Sequence, residues 1–82
     1  MNIQIRILER VLSPGYEGLS PIQLASEIFE SPKLTIDQRL YVGNIISQMI
    51  KEGLLKTVDL KVMPTDATQD YYENLMKQLK KD

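Results

Sequence analysis

Asn44, Ser47, Gln48 and Lys51 bring amide, hydroxyl and ammonium groups that can donate hydrogen bonds to base edges or phosphate oxygens. If each residue advances about 100° around a helix, the four fall within an arc of about 100°. The stretch that carries them, residues 35–56, is the longest uninterrupted helical pattern in the chain. Thr35 and Gln38 have the spacing of a capping box at its start, and Gly53 suits the left-handed turn that ends a helix. The same projection gathers Val42, Ile45, Ile46, Met49 and Ile50 on one arc and leaves Tyr41 and Glu52 outward with the four polar residues. One face packs and the other looks outward, as a helix entering a major groove would; a simply solvated helix gives the same mixture. Arg39 falls toward the packed arc, and Lys33, Arg39, Lys56 and Lys61 are the candidates for phosphate contact, with Asp37, Glu52 and Asp59 opposing them. Gly43, in mid-helix, allows close approach of a neighbouring helix or of a phosphate.

Other chemistry is missing. The chain has neither His nor Cys, so the commonest general bases, thiol nucleophiles and zinc ligands are absent. Its four glycines, at 15, 18, 43 and 53, are too scattered for a phosphate-cradling loop, and Asp and Glu are spread one or two per element. The sequence therefore predicts a binding protein rather than an enzyme, with no cofactor and no metal. A net charge of −1 supplies no excess of cations for sequence-blind attraction to nucleic acid, so any DNA contact rests on a local patch.

Five elements must position this face. Ile3, Ile7, Leu8, Val11 and Leu12 recur at helical spacing and predict a first helix within 1–12; the alternation of Ile3, Ile5 and Ile7 would suit a strand, but Leu8 breaks it. Ser13-Pro14-Gly15 stops that helix. Ser20-Pro21 with Gln23 opens a second, 20–30, with Ile22, Ala25, Ile28 and Phe29 as its apolar stripe. Ser-Pro recurs at 13, 20 and 31, each time at an element boundary, so it reads as punctuation rather than as a set of kinase sites. The long helix, 35–52, is followed by a short ribbon over 54–63 that turns around 58–61 without a glycine. Thr65 caps a last helix, 65–80, with Asp66 and Asp70 near its start and Lys77, Lys80 and Lys81 near its end. Its stripe of Ala67, Tyr71, Tyr72, Leu75, Met76 and Leu79 is broad. Tyr71, Tyr72, Leu75, Met76 and Leu79 are the candidate dimer or partner interface; docking on Ile3, Ile7 and Val11 of the same chain is the alternative, and both can hold at once. The fold class expected is mainly α with a short two-stranded ribbon, in one domain spanning 1–82.

In that order the elements resemble the winged helix-turn-helix superfamily, and the ending looks like that of MarR-like and PadR-like regulators. Val42, Ile46, Met49 and Gly53-Leu54-Leu55 match the buried positions of the family's recognition helix and its glycine turn. Val62-Met63-Pro64-Thr65-Asp66 resembles the passage from second wing strand to final helix, with Thr68 where many relatives have glycine. Residues 31–39 make the second turn longer than in compact DNA-reading members. Small phage and plasmid proteins have similarly reduced winged helices. The resemblance implies a transcriptional regulator binding double-stranded DNA through Arg39, Asn44, Ser47, Gln48, Lys51, Lys56 and Lys61, and a homodimer through the last helix. The alternative is a winged helix serving as a protein-interaction module in a phage, replication or regulatory assembly. A third reading is an enzyme or ligand sensor using a pocket between the first and last helices.

Arg6, Glu9 and Arg10 stand where a signal peptide would run apolar, and nowhere do apolar residues run long enough to span a bilayer. The expected location is the cytoplasm, which the absence of cysteine also suits.

Overall fold

A computed structural model describes residues 2–80; Met1 and the Lys81 expected near the end of the last helix lie outside the described residues. The order is α1 (Ile3–Val11), α2 (Pro21–Ile28), α3 (Ile36–Lys51), β1 (Leu55–Val58), β2 (Lys61–Pro64) and α4 (Thr68–Leu79). This is a mainly α chain with a small antiparallel hairpin, the class and order its pattern predicts.

Each of the first three helices starts on a side chain that satisfies free backbone N–H groups. Asn2 accepts from Ile5 N at 3.0 Å, and Ser20 with Gln23 and Thr35 with Gln38 form complete capping boxes. The helix ends are alike in geometry but not in residue type. At the end of α3, Gly53 has φ +76° and Leu54 N donates back to Met49 O; at the end of α2, Glu30 has φ +53° and Ser31 N donates back to Ser26 O. The left-handed Glu30 is why α2 stops at Ile28 rather than continuing to 30.

The hairpin pairs Leu55 with Pro64 and Val58 with Lys61, leaving Asp59 and Leu60 as a two-residue turn with φ +50° and +66°. Both residues are left-handed, as the favoured hairpin twist demands, although neither is glycine. The ribbon thus sits one residue later than 54–63, because Leu54 is used in the turn leaving α3. The loop before α2 joins the sheet at one point. Val62 N donates to Leu19 O at 2.8 Å, and the Tyr16 hydroxyl donates to Val62 O and accepts from Leu19 N. Gly18 has φ +111°, and a Cβ there would meet Met63 Sδ at 2.9 Å, so both its backbone and the close approach of β2 require glycine.

All elements but α4 contribute to one buried cluster, including Ile7 and Leu8 from α1, Leu24 from α2, Ile46 and Met49 from α3, Leu55 from β1 and Val62 from β2. Two assignments to apolar stripes are corrected. Ile22 is exposed and Leu24 is buried, since an eight-residue helix turns one arc inward and Leu24, Ala25 and Ile28 occupy it. Ile50 is also exposed, because Val42, Ile46 and Met49 define the inward arc of α3.

The last helix begins later than 65. Thr65 does not cap it in the ordinary way: Ala67 is the N-cap residue and carries no capping side chain. Instead Thr65 Oγ1 donates to Gly53 O at 2.7 Å and accepts from Ala67 N, while the buried Thr68 Oγ1 donates to Leu54 O at 2.6 Å and accepts from Thr65 N. Two threonines therefore tie the start of α4 to the end of α3, and Asp66 precedes the helix rather than lying in its first turn.

Candidate nucleic-acid interface

The capping box at Thr35 sets where α3 begins, and the inward arc of Val42, Ile46 and Met49 sets its rotation. That rotation leaves Asn44, Ser47, Gln48 and Lys51 exposed on the far side. Among the described residues, no side chain from 39 to 51 makes a hydrogen bond within the chain, and no ion pair includes Asp37, Arg39, Lys51 or Glu52. The donors are available to a partner.

Arg39 is corrected: it is exposed rather than turned to the packed side, because the inward arc is narrower than the apolar count implied. Lys56 and Lys61 are exposed on the hairpin. Strand alternation puts them on the side opposite the buried Leu55 and Val62, where they share a shallow groove of about 350 Å³ with Glu17 and Asp59. Lys33 is exposed in the loop before α3. Between residues 36 and 64 the cations Arg39, Lys51, Lys56 and Lys61 face the anions Asp37, Glu52 and Asp59, a near-balanced surface.

The same outward side carries apolar area that a sequence reading weighted too little. Ile36 is 74% exposed, Leu40 59% and Tyr41 56%. The signal was present, since the inward arc was filled without them. Gly43 has nothing within 4 Å of the position of an added Cβ, so no neighbouring helix among the described residues explains it.

The α4 side chains are placed differently. Tyr71, Tyr72 and Leu75 pack against the core; Gln4 Nε2 donates to the Tyr71 hydroxyl at 3.1 Å, and the Tyr72 hydroxyl donates to Glu9 at 2.9 Å. The hydrogen bond to Glu9 raises the Tyr72 pKa above its ordinary value. Met76 is half-buried and Leu79 exposed, while Ala67 lies outside the stripe at the helix start. A groove of about 660 Å³ runs between α1 and α3 past Gln4, Tyr41, Ile45 and Gln48.

Charge is locked in one place away from α3. Arg10 Nε pairs with Glu27 at 2.7 Å, and its guanidinium lies 5.3 Å from the centre of the Tyr16 ring. The hydrogen bond to Glu27 raises the Arg10 pKa, and burial raises that of Tyr16. Among the described residues, no three Asp or Glu side chains gather as a metal site, and no helix is long and apolar enough to cross a membrane.

Compared with protein-family models, curated proteins and solved structures, the chain gives no match.

Proposed function

We propose that this chain is a small winged-helix protein, similar in its arrangement to MarR-like and PadR-like regulators. In this reading α3 is the recognition helix, the hairpin is the wing, and the chain regulates transcription by binding double-stranded DNA. The single-residue pairing of Leu19 with Val62 supports the architecture, because it gives the loop before α2 the place of a third, minimal strand beside the wing. The carrying observation for DNA contact is the set Asn44, Ser47, Gln48 and Lys51, exposed along one arc and making no side-chain hydrogen bond among the described residues. Arg39, Lys56 and Lys61 supply phosphate contacts.

The test is an amide-resolved NMR titration with pooled short duplex DNA at low and moderate salt, where nonspecific affinity of about 0.1 mM still registers. Shifts confined to 43–51 and the hairpin, fading as salt rises and abolished in N44A/Q48A/K51A, are the expected result. No shifts at low salt would overturn the DNA reading.

A second reading, a winged helix that binds protein rather than DNA, is favoured by the exposed Ile36, Leu40 and Tyr41 on the same helix. Apolar side chains in this number gain little from a solvated phosphate backbone and much from an apolar partner surface.

A further inference from the structure

We propose that two copies of this chain pair through α3, packed antiparallel along Ile36, Leu40, Gly43, Ser47 and Ile50. These residues recur at spacings of four, three, four and three, the period that keeps one seam facing a second helix. They lie to one side of the inward arc, and Ile36, Leu40, Ser47 and Ile50 are all exposed. Two observations single out a second copy as the occupant. First, the seam is apolar at its ends and small at its centre, and the space above Gly43 is empty. A glycine whose Cβ position meets nothing else among the described residues, set in the middle of an apolar seam, lets another helix approach closely. Second, the charges are self-complementary. A twofold axis near Gly43 sets Ile36 against the partner's Ile50, and on the outer flank it sets Asp37 against the partner's Lys51, twice. Arg39, on the other flank, then faces no like charge, and Glu52 points away from the seam.

The contact runs about 21 Å at about 1.5 Å per residue, shorter than a standard interface needs, so the pair forms at high micromolar rather than nanomolar concentration. It covers Ser47 and borders Asn44 and Lys51, and it therefore competes with anything that binds the outward face. The pairing stands independently of DNA contact.

Sedimentation velocity on the full chain from about 10 µM to about 1 mM tests it. The expected result is a concentration-dependent dimer that Leu40→Glu and Gly43→Leu shift to monomer with the circular dichroism spectrum unchanged. Asp37→Lys and Lys51→Asp each weaken association several-fold, and D37K/K51D together restore it, because each swapped charge again meets its opposite. A monomer throughout the range overturns the proposal. So does a dimer that survives Leu40→Glu but is lost in Leu79→Glu, which would move the contact to α4. A double swap no stronger than the single ones overturns the antiparallel pairing.

Discussion

The two ends of one connected segment use their polar side chains in opposite ways. Where α3 leaves through Gly53 and Leu54, the hydroxyls of Thr65 and Thr68 bind the Gly53 and Leu54 carbonyls, and the backbone N–H of Thr65 is taken up by Thr68. Along the outward face of α3, a few residues earlier, amide, hydroxyl, ammonium and guanidinium groups make no side-chain hydrogen bond among the described residues, and large apolar side chains lie in water beside them. At the buried part of the joint, where Thr68 meets the Leu54 carbonyl, an unmet acceptor is costly, so residue choice is settled by folding. On the face, solvent satisfies every polar group, so residue choice there has little effect on the fold and is free to serve a partner. The lesson is where to look for each kind of effect: substitutions at the joint and on the inward arc change stability, and those on the outward face change association.

The sharpest test sets the two faces of α3 side by side. Ile46→Ala, on the inward arc, is expected to lower unfolding free energy by about 2–5 kcal/mol in urea denaturation, whereas Leu40→Ala changes it by less than about 0.5 kcal/mol. Equal effects would break the comparison. Next, Thr68→Val keeps the shape of the side chain but leaves the Leu54 carbonyl and the Thr65 N–H without their partner. The expected loss is about 1–3 kcal/mol, with early amide exchange at the joint as its local signature. The hairpin supplies a smaller change of opposite sign. Leu60 is 82% exposed with φ +66°, so Leu60→Gly relieves left-handed strain and is expected to raise stability by up to about 1 kcal/mol.

The smallest effect is electrostatic. Tyr16 and Tyr72 ionise above the ordinary tyrosine range, the first through burial and the second through Glu9. A raised folded-state pKa contributes stability that is present below the unfolded value and is lost as pH rises through the folded one, so the two phenols weaken the fold only on the alkaline side. Spectrophotometric titration of Glu9→Gln should bring the Tyr72 transition down and leave that of Tyr16 in place.

Much of the fold could be read directly from residue types. Capping boxes at Ser20 and Thr35, the break at Pro14 and the left-handed Gly53 are local chemistry, and each marks a boundary the structure keeps. Local reasoning failed where a distant segment decided the outcome. Thr65 has the look of a helix cap, yet its hydroxyl donates to Gly53, twelve residues earlier, and α4 starts at Thr68. Leu19 has no strand pattern around it, and only the nearness of Val62 makes it pair. Of the candidate site, the exposure of Asn44, Ser47, Gln48 and Lys51 was legible from periodicity, while the placement of Arg39 and Ile50 was not, because the width of the inward arc depends on which helices and strands lie against it.

By itself, then, the sequence determined the number, order and kind of elements and the face of α3 that turns away from the core, since these follow from caps, breakers and a 3.6-residue period. The tertiary structure alone decided that Thr65 and Thr68 join α3 to α4, that Tyr71 and Tyr72 reach Gln4 and Glu9, and that a Cβ at Gly43 would meet no other element among the described residues. Those facts depend on residues far apart in the chain being brought within hydrogen-bonding or van der Waals distance, and no local pattern encodes such a meeting.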